Sequence, residues 1–300
     1  ANLNGAYGRF TFDASTGVWG YTLDNAKADK LTAGQSASDS LTVGSYDGTA
    51  SHTITVDITG SNDAAVIAGT STVNLAESDA VLTASGKVNV SDVDGAATVK
   101  AQSNVAGSGN YGTFSIDAQG NWTYRANTAH NEFVAGTTYT DTLSIETADG
   151  TKGTITVNID GTNDAAVIGG VATANLTETD AALDASGTLT VSDIDSSPTF
   201  TALNNVPGTQ GYGTFSLDAQ GNWTYRMNGA HNEFEVGKTY TDGLTVRSAD
   251  GTERTITVVI AGTNDAAVIT PATARLTETD AALTATGTLL IDDVDSAKTF

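Results

Sequence analysis

The feature that most constrains the fold is an eight-residue segment that occurs three times in the 300-residue chain. It reads Gly-Thr-Asn-Asp-Ala-Ala-Val-Ile around Asn163 and Asn264, and Ser replaces Thr in the copy around Asn62. From Asn62 to Asn163, and again from Asn163 to Asn264, is 101 residues. This spacing is the size of a domain that buries its own core, and it is too long for a solenoid unit. The chain is therefore expected to be a row of similar domains.

Other motifs keep the same spacing and set the expected boundaries. A Tyr-Gly-x-Phe motif begins at Tyr7, Tyr111 and Tyr212. We expect four pieces: the C-terminal part of a repeat at 1–63, complete repeats at 64–164 and 165–265, and the N-terminal part of a repeat at 266–300. Because the chain begins and ends within repeats, it is expected to be part of a longer array. A further hypothesis is that the two end pieces complement each other between neighbouring molecules, which would give head-to-tail self-association.

The secondary-structure signal has a period of two. Residues 154–159 and 255–260 alternate polar and apolar side chains and are rich in Thr, Val and Ile, as half-buried strands are. Residues 117–121 and 148–151 have the Asp, Asn and Gly content of hairpin loops. No segment keeps a helical apolar stripe over three turns. The pattern predicts an all-β chain with about seven short strands per repeat, folded as tandem immunoglobulin-like β-sandwich domains in an extended array.

Composition excludes several partners and classes. The formal net charge of −22 makes duplex nucleic acid and anionic lipid improbable ligands, and no apolar run approaches the length of a membrane span. The chain has no cysteine, so no disulfide stabilises it. Only three histidines occur, none beside a repeated serine or a second histidine, which leaves no candidate catalytic dyad. We expect a protein that is not an enzyme and that either repels itself or holds cations.

Sandwich topology predicts that acidic residues of successive repeats meet where one repeat ends and the next begins. The first strand of a repeat runs in the same direction as the last, so the acids that follow it lie near the exit of the chain. The second and sixth strands run the opposite way and carry their acids to the entrance. The expected sets are Asn62, Asp63, Asp92, Asp94 and Asp149 at the first junction; Glu77, Asp79, Asn163, Asp164, Asp193, Asp195 and Asp250 at the middle one; Glu178, Asp180, Asn264, Asp265, Asp293 and Asp295 at the last; and Glu278 and Asp280 at the equivalent positions of the final piece.

These sets predict calcium sites. Carboxylates about 4–6 Å apart repel by roughly 4 kcal/mol per pair at an effective dielectric near 20, and a divalent cation removes that repulsion. Calcium takes six to eight oxygen ligands in flexible geometry, whereas zinc and copper prefer the nitrogen and sulfur ligands that are scarce here. The alternative is that each Asp-x-Asp is a solvated turn. For Asp149 and Asp250, which begin Asp-Gly turns, that alternative is as strong as the ligand role.

Four motifs together resemble the VCBS repeat, a module of very large bacterial surface proteins that include the RTX-type adhesins. They occupy residues 91–95, 111–114, 120–124 and 161–164. The resemblance implies type I secretion, a place at the bacterial cell surface, and a calcium-stiffened stalk that carries distal binding domains. The layout of Glu, Asp-x-Asp and Asn-Asp also resembles cadherin junctions. The sequence departs from the pattern in having Ala-Ala-Val-Ile where proline often follows Asn-Asp.

Aromatic residues leave a second function open. Trp122 and Trp223 each stand two residues before a tyrosine on one strand face, as Trp19 does. Exposed aromatic residues of this kind can form sugar-binding platforms, so each repeat could itself be a carbohydrate- or protein-binding module. We expect instead that each tryptophan fills a sandwich core, because its position recurs in a scaffold. Tyr139 and Tyr240 are expected to form tyrosine corners.

Overall fold

The computed structural model describes residues 3–300, so residues 1 and 2 of the expected first piece lie outside the described part. The chain forms two compact units that divide between Thr162 and Asn163. The first unit contains one helix, α1 (Asn25–Ala28), and twelve strands. Those strands are β1 (Gly8–Phe12), β2 (Trp19–Leu23), β3 (Ser36–Gly44), β4 (Ser51–Thr59), β5 (Val66–Gly69), β6 (Thr72–Ala76), β7 (Thr83–Ser91), β8 (Gln102–Ala106), β9 (Gly112–Ile116), β10 (Asn121–Ala126), β11 (Thr138–Glu146) and β12 (Lys152–Asp160).

The second unit repeats this order of strands from β5 onward. Its strands are β13 (Val167–Gly170), β14 (Thr173–Thr177), β15 (Asp184–Ser192), β16 (Leu203–Pro207), β17 (Gly213–Leu217), β18 (Asn222–Met227), β19 (Thr239–Arg247), β20 (Glu253–Ala261), β21 (Val268–Ile269) and β22 (Ile291–Asp292). The predicted hairpin loops join β9 to β10 and β11 to β12, as the period-two runs around them require. The all-β prediction is confirmed.

Each complete repeat is a sandwich of a five-stranded and a three-stranded sheet. In the first unit the strand orders are β5-β7-β10-β9-β8 and β11-β12-β6, and in the second they are β13-β15-β18-β17-β16 and β14-β20-β19. Strand β14 pairs parallel with β20, with Thr177 opposite Ala261, which confirms the expected direction of the first strand. Residues after β14 and after β20 therefore leave the sandwich at the same end.

A glycine explains why each repeat has eight strands rather than seven. The chain begins in the five-stranded sheet as β5, which pairs with β7, and continues as β6 in the other sheet, beside β12. Gly69 ends β5 with a φ of 98°, a conformation that favours glycine, and Gly170 does the same in the second unit with a φ of 85°. The first predicted strand is thus divided between the two sheets.

A tryptophan fills the core of each repeat, as expected. Trp122 and Trp223 are each 1% exposed, and the indole N–H of Trp122 donates to the Thr70 carbonyl oxygen at 2.8 Å. Trp122 lies opposite Gly86 on the neighbouring strand, where an added Cβ would approach the indole ring to 2.7 Å. Because both rings are buried, the platform of exposed aromatic residues is not present in either complete repeat.

Two further side chains close the sandwich. The Tyr139 hydroxyl accepts the Val134 N–H at 3.1 Å, and Tyr240 does the same for Glu235 at 3.2 Å, which confirms the predicted tyrosine corners. Asp141 is fully buried and accepts hydrogen bonds from the N–H groups of Gly109 and Gly112 and from the Tyr124 hydroxyl. Such a carboxylate ties the β8–β9 loop to β11.

The end pieces have more open cores than the complete repeats. Trp19 occupies the position of Trp122 but is 49% exposed, since no strand equivalent to β7 covers the β1–β2 hairpin. In the last piece Leu276, Leu283 and Leu289 are also exposed. An apolar face therefore remains uncovered in each piece.

Candidate metal centre

Three carboxylates converge at the last junction, within the second unit. Glu178 and Asp180 follow β14, and Asp265 follows β20. One carboxylate oxygen from each lies within 4.8 Å of the others. The parallel pairing of β14 with β20 produces this convergence because both strands deliver their acids to the same end of the sandwich. Glu178 is buried and Asp180 is exposed, so the cluster reaches from the interior to the surface.

Oxygen atoms of this cluster are buried without a hydrogen-bond donor. Among the described residues, Glu178 Oε1, Asp265 Oδ2 and both carboxylate oxygens of Asp295 have no hydrogen-bond partner. Asp295 and Glu178 are only 8% and 2% exposed. A buried carboxylate oxygen without a partner is costly, since it has lost water and gained nothing in return. Such oxygens are suited to bind a hard cation.

Electrostatic crowding is strongest at Asp265. Desolvation, together with the neighbouring Asp180, Glu178 and Asp295 carboxylates, raises the pKa of this carboxyl to about 6. Its ordinary value is 3.8. The shift means that negative charge is already concentrated at this point. A bound cation would reverse the shift by favouring the ionised form.

The entrance of the second unit holds another set of acids. Asp193 Oδ1 accepts the N–H groups of Asp195 at 3.1 Å and Ser196 at 2.7 Å, and Asp195 Oδ1 accepts the Asp164 N–H at 3.3 Å. One oxygen of Asp193 and one of Asp195 remain buried without a hydrogen-bond partner within residues 3–300. Burial raises the pKa of Asp195, and Asp193 adds to the effect. The Asp-x-Asp segment is therefore an ordered turn whose second oxygens stay available.

Asp250 joins the same entrance from the β19–β20 loop. Its Oδ2 accepts the Ala166 N–H at 3.0 Å and lies 3.4 Å from Asn163 Nδ2. Burial opposes ionisation, but hydrogen bonds from Ser248, Thr252 and Ala166 hold the pKa of Asp250 well below its ordinary value. Hydrogen bonds thus stabilise the ionised carboxylate and fix it to the connector.

The first unit contains the equivalent arrangement at its first junction. Asp92 Oδ1 accepts the Asp94 N–H at 3.1 Å, Asp94 Oδ1 accepts the Asp63 N–H at 3.3 Å, and Asp149 Oδ2 accepts the Ala65 N–H at 3.0 Å. Asn62 Nδ2 lies 3.5 Å from the same Asp149 oxygen. A hydrogen bond from Thr147, with others from Ala65 and Thr151, holds the pKa of Asp149 well below its ordinary value. All five residues expected at this junction are therefore brought together.

The exit of the complete repeat in the first unit repeats the Glu178 geometry. Glu77 is 4% exposed, accepts the Thr162 hydroxyl at 2.6 Å through Oε2, and has its Oε1 buried without a hydrogen-bond partner in the described chain. Asp79 accepts the Asn131 side-chain amide at 3.2 Å.

Some expected residues lie apart. Glu278 and Asp280 are exposed on the last piece, and within residues 3–300 they are not part of the carboxylate group around Asp265. Asn264 donates only to the Asp265 carbonyl oxygen, at 3.0 Å. Asp293 accepts the Asp295 and Ser296 N–H groups and has the turn geometry of Asp193. The exposed pair lies between β21 and β22, where the described chain forms no strand.

Sequence reasoning missed the residues that position these acids. The hydroxyls of Thr162 and Thr263 donate to Glu77 and Glu178, and the Ser248 hydroxyl donates to Asp250. The signal was present, since the threonine precedes Asn-Asp in both later copies of the repeated segment. Its meaning depends on β14 lying beside β20, which only the fold shows.

Comparison with family models identifies the family of this chain. A model of the bacterial cadherin-like domain matches residues 62–161 and 163–262, about two thirds of the chain. No curated protein sequence matches. Among the described residues, no helix has the length and apolar character to cross a membrane.

Solved cadherin structures are also similar. A protocadherin gamma B7 structure of domains EC3–6, described as a cis-dimer, has 14% identity and a TM-score of 0.40, covering 92% of this chain and 72% of that one. The protocadherin gamma B4 extracellular domain has 14% identity and a TM-score of 0.44, covering 89% and 44%. Mouse clustered protocadherin gamma C3 EC1–3 has 12% identity and a TM-score of 0.39, covering 85% and 86%. Because the model of the bacterial cadherin-like domain matches two tandem copies over about two thirds of the chain, the chain belongs to the bacterial cadherin-like domain family.

Proposed function

We propose that the acidic clusters bind calcium and that the chain is a calcium-stiffened extender of a bacterial surface adhesin. The observation that carries the proposal is the cluster of Glu178, Asp180 and Asp265, in which Glu178 Oε1 and Asp265 Oδ2 are buried without a donor. Desolvation and the neighbouring carboxylates raise the pKa of Asp265. Asp295 adds two further oxygens. At the entrances of the repeats the ligands would be the remaining oxygens of Asp92, Asp193 and Asp195.

The donor set favours calcium over other metals. Every candidate ligand is a carboxylate or amide oxygen, which hard cations prefer. The number of oxygens and their flexible spacing suit the six to eight ligands of calcium better than the strict octahedron of magnesium. Calcium would supply the positive charge that relieves repulsion among these acids. We expect affinities suited to extracellular calcium, with a Kd of about 10⁻⁴ to 10⁻³ M.

Stiffening follows from which residues share an ion. Glu178 and Asp180 belong to the body of a repeat, Asp265 belongs to the connector that leaves it, and Asp295 belongs to the following piece. An ion held by all of them fixes the connector to both sides. Family membership and the tandem order of the sandwiches support a role in spacing or adhesion. The VCBS resemblance extends the proposal to RTX-type adhesins, type I secretion and biofilm.

Calorimetric titration with CaCl₂ tests the metal proposal directly. The chain should bind calcium, and the triple variant Glu178→Gln, Asp180→Asn, Asp265→Asn should lose the sites of the last junction while keeping those of the first. The matched control is Asp117→Asn, which changes a carboxylate in the β9–β10 turn that is fully hydrogen-bonded to Gln119 and Asn121. Equal calcium stoichiometry in the triple variant and the parent would reject the site.

Small-angle scattering tests the mechanical part. We expect the maximum dimension of the chain to fall when a chelator removes calcium, because the connectors then bend freely. In calcium, the triple variant should have a smaller maximum dimension than the parent, because its last junction bends as freely as that of the parent in chelator. Calcium binding with unchanged scattering would retain the metal sites but reject the stiffening role.

A further inference from the structure

The outer face of the five-stranded sheet carries a groove that recurs at the same positions in both complete repeats. In the first unit it has a volume of about 540 Å³ and crosses β7, β10, β9 and β8. In the second unit the equivalent groove has a volume of about 490 Å³. Every lining position of one lies 101 residues from its counterpart in the other. We call this surface the outer groove; it faces away from the core and from the junction acids.

Hydroxyl groups and one guanidinium line the outer groove. Its floor is formed by Ser85, Thr113, Ser115 and Thr123, with Asn104 at the rim and Arg125 exposed at one end. Asn104 has a φ of 51° at an irregularity in the edge strand β8, and its N–H donates to the Ser115 hydroxyl at 3.0 Å. The left-handed backbone conformation of Asn104 thereby turns β8 over the groove.

An arginine and a threonine form the same cross-strand pair in three repeats, although the arginine lies on the other strand in one of them. Arg125 pairs with Thr113 in the β9–β10 hairpin, and Arg226 pairs with Thr214 in the second unit. In the first piece the same cross-strand pair is reversed, with Arg9 opposite Thr22. One arginine thus occupies this pair in each of three repeats, although the chain has only 13 Lys and Arg among 300 residues.

Neither groove arginine forms a close ion pair in the described chain. Neither Arg125 nor Arg226 takes part in an ion pair within residues 3–300, whereas Arg247 pairs with Glu253. Lys87 lies on the same face as Arg125, four residues along β7 from Thr83, and pairs across the strands with Asn121. Lys87 lies outside the lining of the groove and near the Asp117 carboxylate. Arg125 is therefore the cation that lines the outer groove of the first unit, on a chain whose formal net charge is −22.

The two outer grooves differ in charge. Thr83, opposite Arg125, is replaced by Asp184, opposite Arg226, and Lys87 is replaced by Thr188. The second groove consequently has one cation and one anion at neighbouring positions. Charge complementarity to an anionic ligand is greater in the first unit.

We infer that the outer groove of residues 64–164 binds a carboxylated polysaccharide, a polymer of uronate sugars. Arginine binds carboxylate through paired N–H groups, and the surrounding hydroxyls and amide match the hydroxyls of a sugar ring. The apolar side chains in its lining, Ala84 and Tyr124, are half-buried and buried, so the groove offers little apolar surface to the side chains of a peptide. This inference is independent of the proposed calcium sites.

Binding of the 300-residue chain to polygalacturonate tests the inference, with dextran as the neutral control. The assay is run in EDTA, so that calcium cannot bridge junction acids to uronates. We expect binding to polygalacturonate only, weakened by salt, and reduced about tenfold by Arg125→Gln. Arg226→Gln, the matched change in the other groove, should reduce binding by less than twofold, and Thr83→Asp should imitate Arg125→Gln. Unchanged melting temperatures verify that the exposed substitutions leave the fold intact.

Several results would overturn the inference. One is equal binding by the parent and Arg125→Gln. Binding that requires calcium would assign the interaction to the junctions instead. A third is that the parent does not bind polygalacturonate while Arg125→Gln changes its sedimentation. The occupant of the groove would then be an acidic surface of a second copy of the chain.

Discussion

The interiors of the two complete repeats differ in side-chain volume, and their outer faces differ in charge. Trp122 and Trp223 fill the same position and are equally buried, and the largest change among their core neighbours is Ala126 to Met227. On the outer face Lys87 becomes Thr188, which removes a charge. Core substitutions stay apolar because a buried charge without a partner is costly, whereas an exposed position tolerates a change of charge. Differences between repeats therefore indicate function more clearly than similarities do.

The largest expected effect on stability is at the tryptophans, where the complete repeats should differ from the first piece. Trp122→Ala should lower the free energy of unfolding of its unit by about 3–5 kcal/mol, because it leaves a large cavity. Trp223→Ala should cost the same in the second unit. Trp19→Ala should cost much less, since half of that side chain is already in water. Denaturant unfolding followed by circular dichroism measures all three; equal losses at Trp19 and Trp122 would show that the first piece has a closed core.

The buried aspartates give the next largest effect. Asp141→Ala leaves two backbone N–H groups and the Tyr124 hydroxyl without an acceptor, and we expect a loss of about 3 kcal/mol. Asp242→Ala, with Gln210, Gly213 and Tyr225 as donors, should match it. Thermal unfolding of the two variants checks the equivalence. A loss under about 1 kcal/mol would mean that water replaces the carboxylate.

Calcium affinity at the last junction should depend on pH. The pKa of Asp265 is raised to about 6, so in the absence of metal this group takes up a proton as the pH falls through that value. Calcium must then displace the proton, and its affinity should fall about tenfold between pH 7 and pH 5. The metal-free junction has the opposite trend, becoming less stable as the pH rises from 3.8 to about 6.

Calorimetry at the two pH values measures the effect, and Asp265→Asn supplies the control. That variant should bind calcium more weakly at pH 7 but with less dependence on pH. A parent chain whose affinity is constant from pH 7 to pH 5 would place Asp265 outside the site.

The smallest expected effect concerns the threonines that hold the glutamates. Thr263→Val removes the hydroxyl that donates to Glu178, and Thr162→Val does so for Glu77. Each should weaken calcium binding about threefold, because the carboxylate then loses its fixed orientation. Isothermal titration of both variants sharpens the comparison of the two units. An unchanged affinity would show that the backbone alone positions these glutamates.

The sequence predicted the strands of the repeat because their period-two pattern is local. The period-two runs 154–159 and 255–260 lie within β12 and β20. The division of the first strand was not predicted, since Gly170 is one glycine among 32 and its positive φ has no local signature. The convergence of Glu178 with Asp265 was predicted only by assuming a sandwich topology.

Asp141 and Gly86 illustrate what the sequence alone could not give. An aspartate on the inward face of a strand contradicts the pattern, and its meaning depends on N–H groups 29 and 32 residues away. Gly86 reads as a weak point in a strand, yet it provides the space for the Trp122 indole. Both roles arise from contacts between strands distant in sequence.

By itself the sequence determined the repeat length, the all-β class and the identity of the acidic residues, because composition and periodicity act within one strand or one turn. Only the tertiary structure decided which oxygens of those acids are buried without donors and which arginines face a groove. Desolvation and charge proximity depend on distances through space, and these distances are set by how strands from opposite ends of a repeat pair.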